Sequence, residues 1–193
     1  MDAIKEINSY IKKLTDTLNS LSKTEIENFY NVLLKCYETG KKVIIFGNGG
    51  SASTASHFVA DMNKGVSMGL QKRFRVICLN DNIPTMLAYA NDLSYNDIFV
   101  EQIKNFLEEG DVVVGISGSG NSENIIRAIE YTNKNGGVTV GITGYDGGRL
   151  KKVAKYSVNA NINDMQISED IHLIVGHIIM KLFYKILQGN NNE

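Results

Sequence analysis

A surplus of charge of either sign is missing from this chain. Its 20 Lys and Arg residues against 21 Asp and Glu leave a formal net charge of −1, and the basic residues are spread rather than clustered. The footprint that neutralises a phosphodiester backbone is therefore absent, which argues against nucleic acid as a direct ligand. Long apolar runs are missing too. No stretch of 18 or more apolar residues occurs, so neither a membrane-spanning helix nor a membrane partner is expected. The N-terminal MDAIKEINSYIKKL lacks the unbroken apolar segment of a signal peptide, and the expected location is the cytoplasm. Cysteine is scarce: Cys36 and Cys78 match no metal-ligand spacing and lie in apolar surroundings, where thiols are usually buried and inert. The single proline, Pro84, fits the first turn of a helix.

What is present reads as one α/β domain. A hydrophobic fraction of 43% with 21% charged residues suits a globular chain, and 193 residues can bury about 70% of the unfolded surface. Residues 1–40 carry two helical patterns. Ile4, Ile7, Ile11, Leu14 and Leu18 form one stripe, which must bury against something. Ile26, Phe29, Val32, Leu33 and Cys36 form the second, with Ser22 or Thr24 as N-cap and Gly40 as the stop. From residue 42 onward, short β-branched runs at 43–47, 75–80, 111–117, 139–144 and 156–161 alternate with helical patterns at 51–65, around 83–107, at 122–135 and at 165–188. Near-continuous apolar strands separated by helices predict a parallel sheet covered on both faces. The terminal GNNNE reads as a frayed polar tail.

Two strand ends are rich in glycine and hydroxyls: Gly47-Asn48-Gly49-Gly50-Ser51, and Ser117-Gly118-Ser119-Gly120-Asn121-Ser122-Glu123-Asn124. Glycine lets backbone approach a ligand closely, and the helix that follows aims free N–H groups and a partial positive charge at an anion. Such stretches are also ordinary turns with helix caps, but two at strand ends of one sheet favour a phosphate site. Neither is a Walker A loop, and neither fits GxGxxG with a following acidic residue. Hydroxyls and backbone N–H groups can hold a sugar phosphate without an arginine, which agrees with the lack of Lys and Arg in both loops.

GNGGSA, GISGSGNSENIIRAI, TGYDGG and EDIHLIVGHII together resemble the sugar isomerase (SIS) domain proteins, most closely their phosphoheptose isomerase branch. The similarity runs over essentially the whole chain. Residues 1–193 are accordingly taken as one SIS domain, with 1–40 as helices used in packing or oligomerisation and 42–188 as the α/β core. The resemblance implies a flavodoxin-like, three-layer fold with a five-stranded parallel sheet, and a homotetramer with active sites at subunit interfaces. It implies conversion of sedoheptulose 7-phosphate to a manno-heptose 7-phosphate, a precursor of lipopolysaccharide or capsule. Ser51, Ser117, Ser119 and Ser122 match phosphate-binding hydroxyls of the family, Gly49 lies in the same loop, and Asn48 and Asp92 match groups that hold the sugar. Asp61 stands at the position of a catalytic glutamate, and His177 at that of its histidine partner. His57, Asp61, Glu169 and His177 match a set that holds zinc in some members. Asp61 replaces that glutamate, Glu169 a glutamine, Gln166 an aspartate and Gly118 a threonine. SIS domains also serve as phosphosugar sensors, as a replication-initiator-binding protein without isomerase chemistry, and as isomerases of other ketose phosphates.

An aldose–ketose isomerisation moves a proton between adjacent carbons through an enediol, so it needs a base at those carbons and an acid at the carbonyl oxygen. At about 100° per residue, His57 and Asp61 lie roughly 40° apart on one helix face, and Asp170 shares a face with His177. On the same step Glu169 is about 80° from His177 and His172 turns well away, so His172 is expected to be structural, within a core stripe of Leu173, Ile174, Ile178 and Ile179. Asp61 or Glu169 is the expected base and His177 the acid. Shortening a glutamate to Asp61 withdraws the carboxylate by about 1.5 Å, and a displacement near 1 Å can cost about 100-fold in rate.

Overall fold

Near-continuous apolar runs take up the centre of the sheet because both of its faces are covered. The computed structural model describes residues 2–189, so the expected fraying of the tail falls, from residue 190 on, outside the described residues. The strands are β1 (Lys42–Gly47), β2 (Arg75–Cys78), β3 (Val112–Ser117), β4 (Val138–Thr143) and β5 (Tyr156–Asn159). All pair in parallel in the order β2-β1-β3-β4-β5, with Ile45 beside both Cys78 and Val114, and Ile116 beside Ile142. The helices are α1 (Ala3–Ser20), α2 (Lys23–Thr39), α3 (Gly50–Ala60), α4 (Ile83–Asp92), α5 (Val100–Phe106), α6 (Glu123–Lys134), α7 (Gly148–Val153) and α8 (Met165–Leu187). Strand order reverses between β1 and β3, and the two glycine-serine loops leave the C-terminal ends of those two strands. That is where an open parallel sheet opens a crevice for a ligand.

Alternation along the strands sends side chains to two cores. Val43 and Ile45 of β1 join Phe29 and Leu33 of α2, Phe58 of α3, and Ile171, Val175, Ile179 and Phe183 of α8. Ile44 and Phe46 face the other way, onto Phe99, Ile103, Ile125, Ile129 and Leu150. The Phe46 and Phe99 rings stack at 4.6 Å. Each large apolar side chain so enclosed contributes about 1.5–3 kcal/mol.

Ser22 is the N-cap of α2, accepting from Glu25 N at 3.2 Å, and Gly40 ends that helix at φ 70°. Pro84 lies in the first turn of α4. Several expectations need correction. The helix expected over 51–65 is α-helical only to Ala60 and continues as a π-helical turn from Asp61 to Val66. The 83–107 pattern resolves into α4, a 3-10 turn at Tyr95–Asp97 and α5, and TGYDGG runs straight into the short α7. On α8 the core seam is Ile167, Ile171, Val175, Ile179 and Phe183; Leu173 and Ile174 are half-buried and Ile178 is exposed. Ile179 of the expected stripe is therefore in the seam, and successive steps of four keep the seam facing the sheet while Leu173, Ile174 and Ile178 rotate off it. The α1 stripe covers only half its length: Leu14 and Leu18 pack on the core, but Ile4, Ile7 and Ile11 are 67, 52 and 56% exposed. Cys36 and Cys78 are buried free thiols, and burial pushes both up to about 11. Among the described residues no helix is long and apolar enough to cross a membrane.

Candidate functional site

The two loops line one cleft of about 280 Å³. Asn48, Gly49, Gly50 and Ser51 come from the first, and Ser117, Gly118, Ser119 and Ser122 from the second; Met165 and Glu169 of α8 close it. The N-termini of α3 and α6 both open here, so the free N–H groups of two helices converge on the space. Ser122 is the N-cap of α6 yet makes no side-chain cap, which leaves its hydroxyl 3.3 Å from that of Ser117. Ser119 Oγ accepts from Asn121 N at 3.2 Å and keeps its own hydrogen to give. The second loop is braced from behind: Gly144 N donates to Gly118 O and Leu150 N to Gly120 O. Gly120, at φ 66°, is pressed against Gly147 O so closely that no side chain would fit.

Gly118 is covered by the Met165 sulfur, which occupies the place of a side chain. Glu169 makes a similar approach to the first loop. A Cβ at position 50 would lie 2.5 Å from Glu169 Oε1, so only glycine lets the carboxylate settle against the first residue of α3. The positive end of that helix favours a negative group there.

α3 and α8 run side by side, and the last turn of α3, the start of the π-helical turn and the middle of α8 bring together a second group. His57 Nε2 lies 3.1 Å from His177 Nε2, and Asp61 Oδ2 lies 3.5 Å from the first and 3.7 Å from the second. With two Nε2 atoms in contact, one ring donates and the other accepts, or both turn lone pairs to a cation. Tetrahedral zinc with bonds of about 2.0–2.1 Å holds neighbouring ligand atoms about 3.4 Å apart. The three separations straddle that value, so the set fits a divalent metal with a fourth position open. Glu169 does not belong to it. Eight residues of helix separate Glu169 from His177, about 12 Å of rise, which puts its carboxylate at the start of α3 rather than near the end. The π-helical turn begins at Asp61, and such turns often occur at functional sites. It is closed by Ser67, whose N and Oγ both donate to Met62 O, and the close packing of Gly65 on Met180 holds it to α8.

A family model described as SIS domain matches residues 8–144. A probable phosphoheptose isomerase of Thermoplasma acidophilum is 43% identical over 141 residues, 73% of this chain and 77% of that protein. The phosphoheptose isomerase of Clostridium acetobutylicum is 34% identical over 165 residues, 86% and 84% of the two chains. The structure of a phosphoheptose isomerase from Francisella tularensis is 25% identical and superposes with a TM-score of 0.88 over 96% of this chain and 100% of that one. This chain belongs to the SIS domain family, in its phosphoheptose isomerase branch.

Within this SIS domain Asp92 stands apart from the cleft. It ends α4, a helix with no buried residue, and is exposed with Asn91 Nδ2 donating to it at 2.8 Å. Asp170 also turns outward, accepting from Tyr10 on α1, whose phenol that bond pushes up to about 12. Two residues at the cleft, Asn124 and Tyr95, were given no role by the sequence. Asn124 and Asn48 exchange a reciprocal pair of amide hydrogen bonds at 3.0 and 2.9 Å, and Tyr95 Oη reaches Asn48 Oδ1 at 2.9 Å. His172 is buried as expected of a structural residue, but it lines a small gap shared with Thr54, His57, Asp61 and His177. Neither ring nitrogen has a hydrogen-bond partner, although the ring nears the Thr143 backbone, and burial holds the imidazole down at about 4. A helical wheel cannot signal any of these, because each depends on which other element lies opposite.

Proposed function

We propose that this SIS domain interconverts a ketose and an aldose phosphate, with sedoheptulose 7-phosphate and a manno-heptose 7-phosphate as the pair. The observation that carries the reading is the placement along α3 and α8 of a hydroxyl-lined cleft of about 280 Å³ at the start of α3 and an acid–base cluster about two turns further on. From Ser51 to His57 is about 9 Å along α3, a span suited to a linear sugar whose carbonyl lies far from its phosphate. In this reading the phosphate takes the hydroxyls of Ser51, Ser117, Ser119 and Ser122 and the N–H groups at the starts of α3 and α6, as at other helix termini. Gly49 supplies room in the same loop, and Asn48 and Glu169 meet the sugar hydroxyls. Asp92 is assigned no contact.

Asp61 then removes a proton from the carbon next to the carbonyl while His177 donates one to the carbonyl oxygen, which gives the enediol. Returning the proton to the neighbouring carbon, as the other oxygen is released to a carbonyl, completes the exchange with no net change in atoms. His57, in contact with both partners, keeps them oriented. The same three side chains would hold zinc, and then the metal, rather than a proton on His177, would polarise the carbonyl and steady the developing oxyanion.

The rings of His57 and His177 are 51 and 48% exposed, too open for chemistry that must exclude water, and copies of the same chain are the natural cover. Ile4, Ile7 and Ile11 on α1, with Ile83, Leu87 and Leu93 on and after α4, form two exposed apolar faces of the kind that oligomers bury. A homotetramer with interfacial active sites accounts for both, and the free buried thiols suit the cytoplasm.

The test is to incubate the purified protein in deuterium oxide with sedoheptulose 7-phosphate and shorter ketose phosphates, with and without Zn²⁺. Exchange at the carbon next to the carbonyl is expected, fastest with the heptose. Thermal stabilisation by the sugar phosphates without exchange of any of them would leave a binding protein and sink the isomerase.

A further inference from the structure

Hydrogen-bond logic assigns a role to Tyr95, which lies outside every motif. Asn48 and Asn124 face each other in a reciprocal amide pair, an arrangement that looks the same if both amides are flipped. One further bond breaks that symmetry. Ile125 N, which can only donate, lies 3.0 Å from Asn124 Oδ1, so that atom must be the oxygen. Asn124 Nδ2 therefore faces Asn48 Oδ1, and Asn48 Nδ2 faces Asn124 Oδ1. Tyr95 Oη meets Asn48 Oδ1, an acceptor, so the phenol must donate. Its hydrogen is committed while its lone pairs are not. Asn48 Nδ2 has given one hydrogen to Asn124 and retains the other.

The phenol is held firmly for an exposed side chain. It projects from the 3-10 turn, whose N-cap Ser94 bonds both Asn96 N, at 3.1 Å, and Asp97, at 2.6 Å. Arg127 of α6 clamps Asp97 at 2.8 Å, and these partners hold its carboxyl below the usual range, the Ser94 bond most of all. Tyr95 is 55% exposed, so its hydroxyl is not spent on the core.

We propose that Tyr95 Oη and Asn48 Nδ2 form a sugar-hydroxyl clamp at the rim of the cleft. The phenolic oxygen accepts from a hydroxyl of the open-chain sugar, and the amide N–H donates to that hydroxyl or its neighbour. Such a pair reads polyol and is indifferent to phosphate, so Tyr95 is a specificity residue, distinct from the serines that hold the anion. The assignment rests on the phosphosugar reading of the cleft.

Titration calorimetry of the full chain with sedoheptulose 7-phosphate and with inorganic phosphate tests it. Tyr95→Phe is expected to weaken the sugar phosphate about 3- to 10-fold, the size of one or two neutral hydrogen bonds, and to leave inorganic phosphate unchanged. In an Asn48→Ala background the same change should have less than half that effect, because the clamp has already lost its partner. Equal weakening of both ligands would mean that Tyr95 only supports the loop, and this would overturn the clamp. So would a variant that matches wild type with both. A wild-type chain that binds neither ligand would overturn the phosphosugar reading and the clamp with it.

Discussion

At the start of α3 the site is made of backbone and small hydroxyls from two contiguous loops, whereas near its end it is made of side chains from helices whose histidines lie 120 residues apart. The first region is braced on all sides. Met165 and Glu169 cover it, and the 143–148 turn supports it from behind. The second is half open. The difference matches the roles proposed for them: an anion can be held by fixed dipoles that need no adjustment, while proton transfer needs titratable groups within reach of each other and a cover that excludes water.

The sharpest way to break this division is His177→Ala. If the two ends act separately, kcat falls about 10²- to 10⁴-fold, while the Kd for sedoheptulose 7-phosphate, read by calorimetry, stays within about threefold. Loss of binding in step with turnover would merge the two regions into one.

Burial of His172 behind the cluster predicts a stability that depends on pH. Its imidazole is held at about 4 in the folded chain against 6.5 when unfolded, so between those values the unfolded chain binds the extra proton. The contribution is complete above about 6.5 and is lost as pH falls towards 4, to an extent of about 3 kcal/mol. Denaturant titrations at pH 7 and pH 4.5 should show the drop, and His172→Phe should flatten it. An unchanged slope in the variant would mean that other groups carry the acid sensitivity.

The smallest effect concerns the covered end. Glu169 sets a carboxylate in the wall of the cleft that the anion would enter, beside the sugar rather than the phosphate, so Glu169→Gln should tighten inorganic phosphate about 3- to 10-fold at low salt and by less at high salt. Weaker binding would show that the carboxylate helps to build the cleft rather than compete for it.

How much of this could be read from the residue order differs between the same two regions. The loop hydroxyls Ser51, Ser117, Ser119 and Ser122 stand out because each loop is continuous, follows an apolar strand and precedes a helix, and parallel sheets open at that point. His57 and Asp61 could be placed on one face by spacing alone. Their meeting with His177 could not, since it depends on α3 and α8 packing side by side in one register. For the same reason Glu169 was expected with the cluster and instead reaches Gly50. The spacing on α8 gave the angle of each residue about the axis but not the side on which the sheet lies, so the stripe around Leu173 and Ile178 was misplaced. Tyr95 and Asn124 gave no signal, because a tyrosine in a polar turn and an asparagine in a first helical turn are ordinary until a third asparagine-bearing loop stands between them.

The sequence by itself determined the α/β class, the parallel sheet and two glycine-serine loops at strand ends, because strand burial, helix periodicity and glycine loops are local properties of consecutive residues. Only the tertiary structure decided which acid joins the histidines, which one covers the anion site and which phenol reaches Asn48. Those partnerships are set by how helices pack across the sheet, where a side chain's reach of a few ångströms leaves no tolerance for an error of one helical turn.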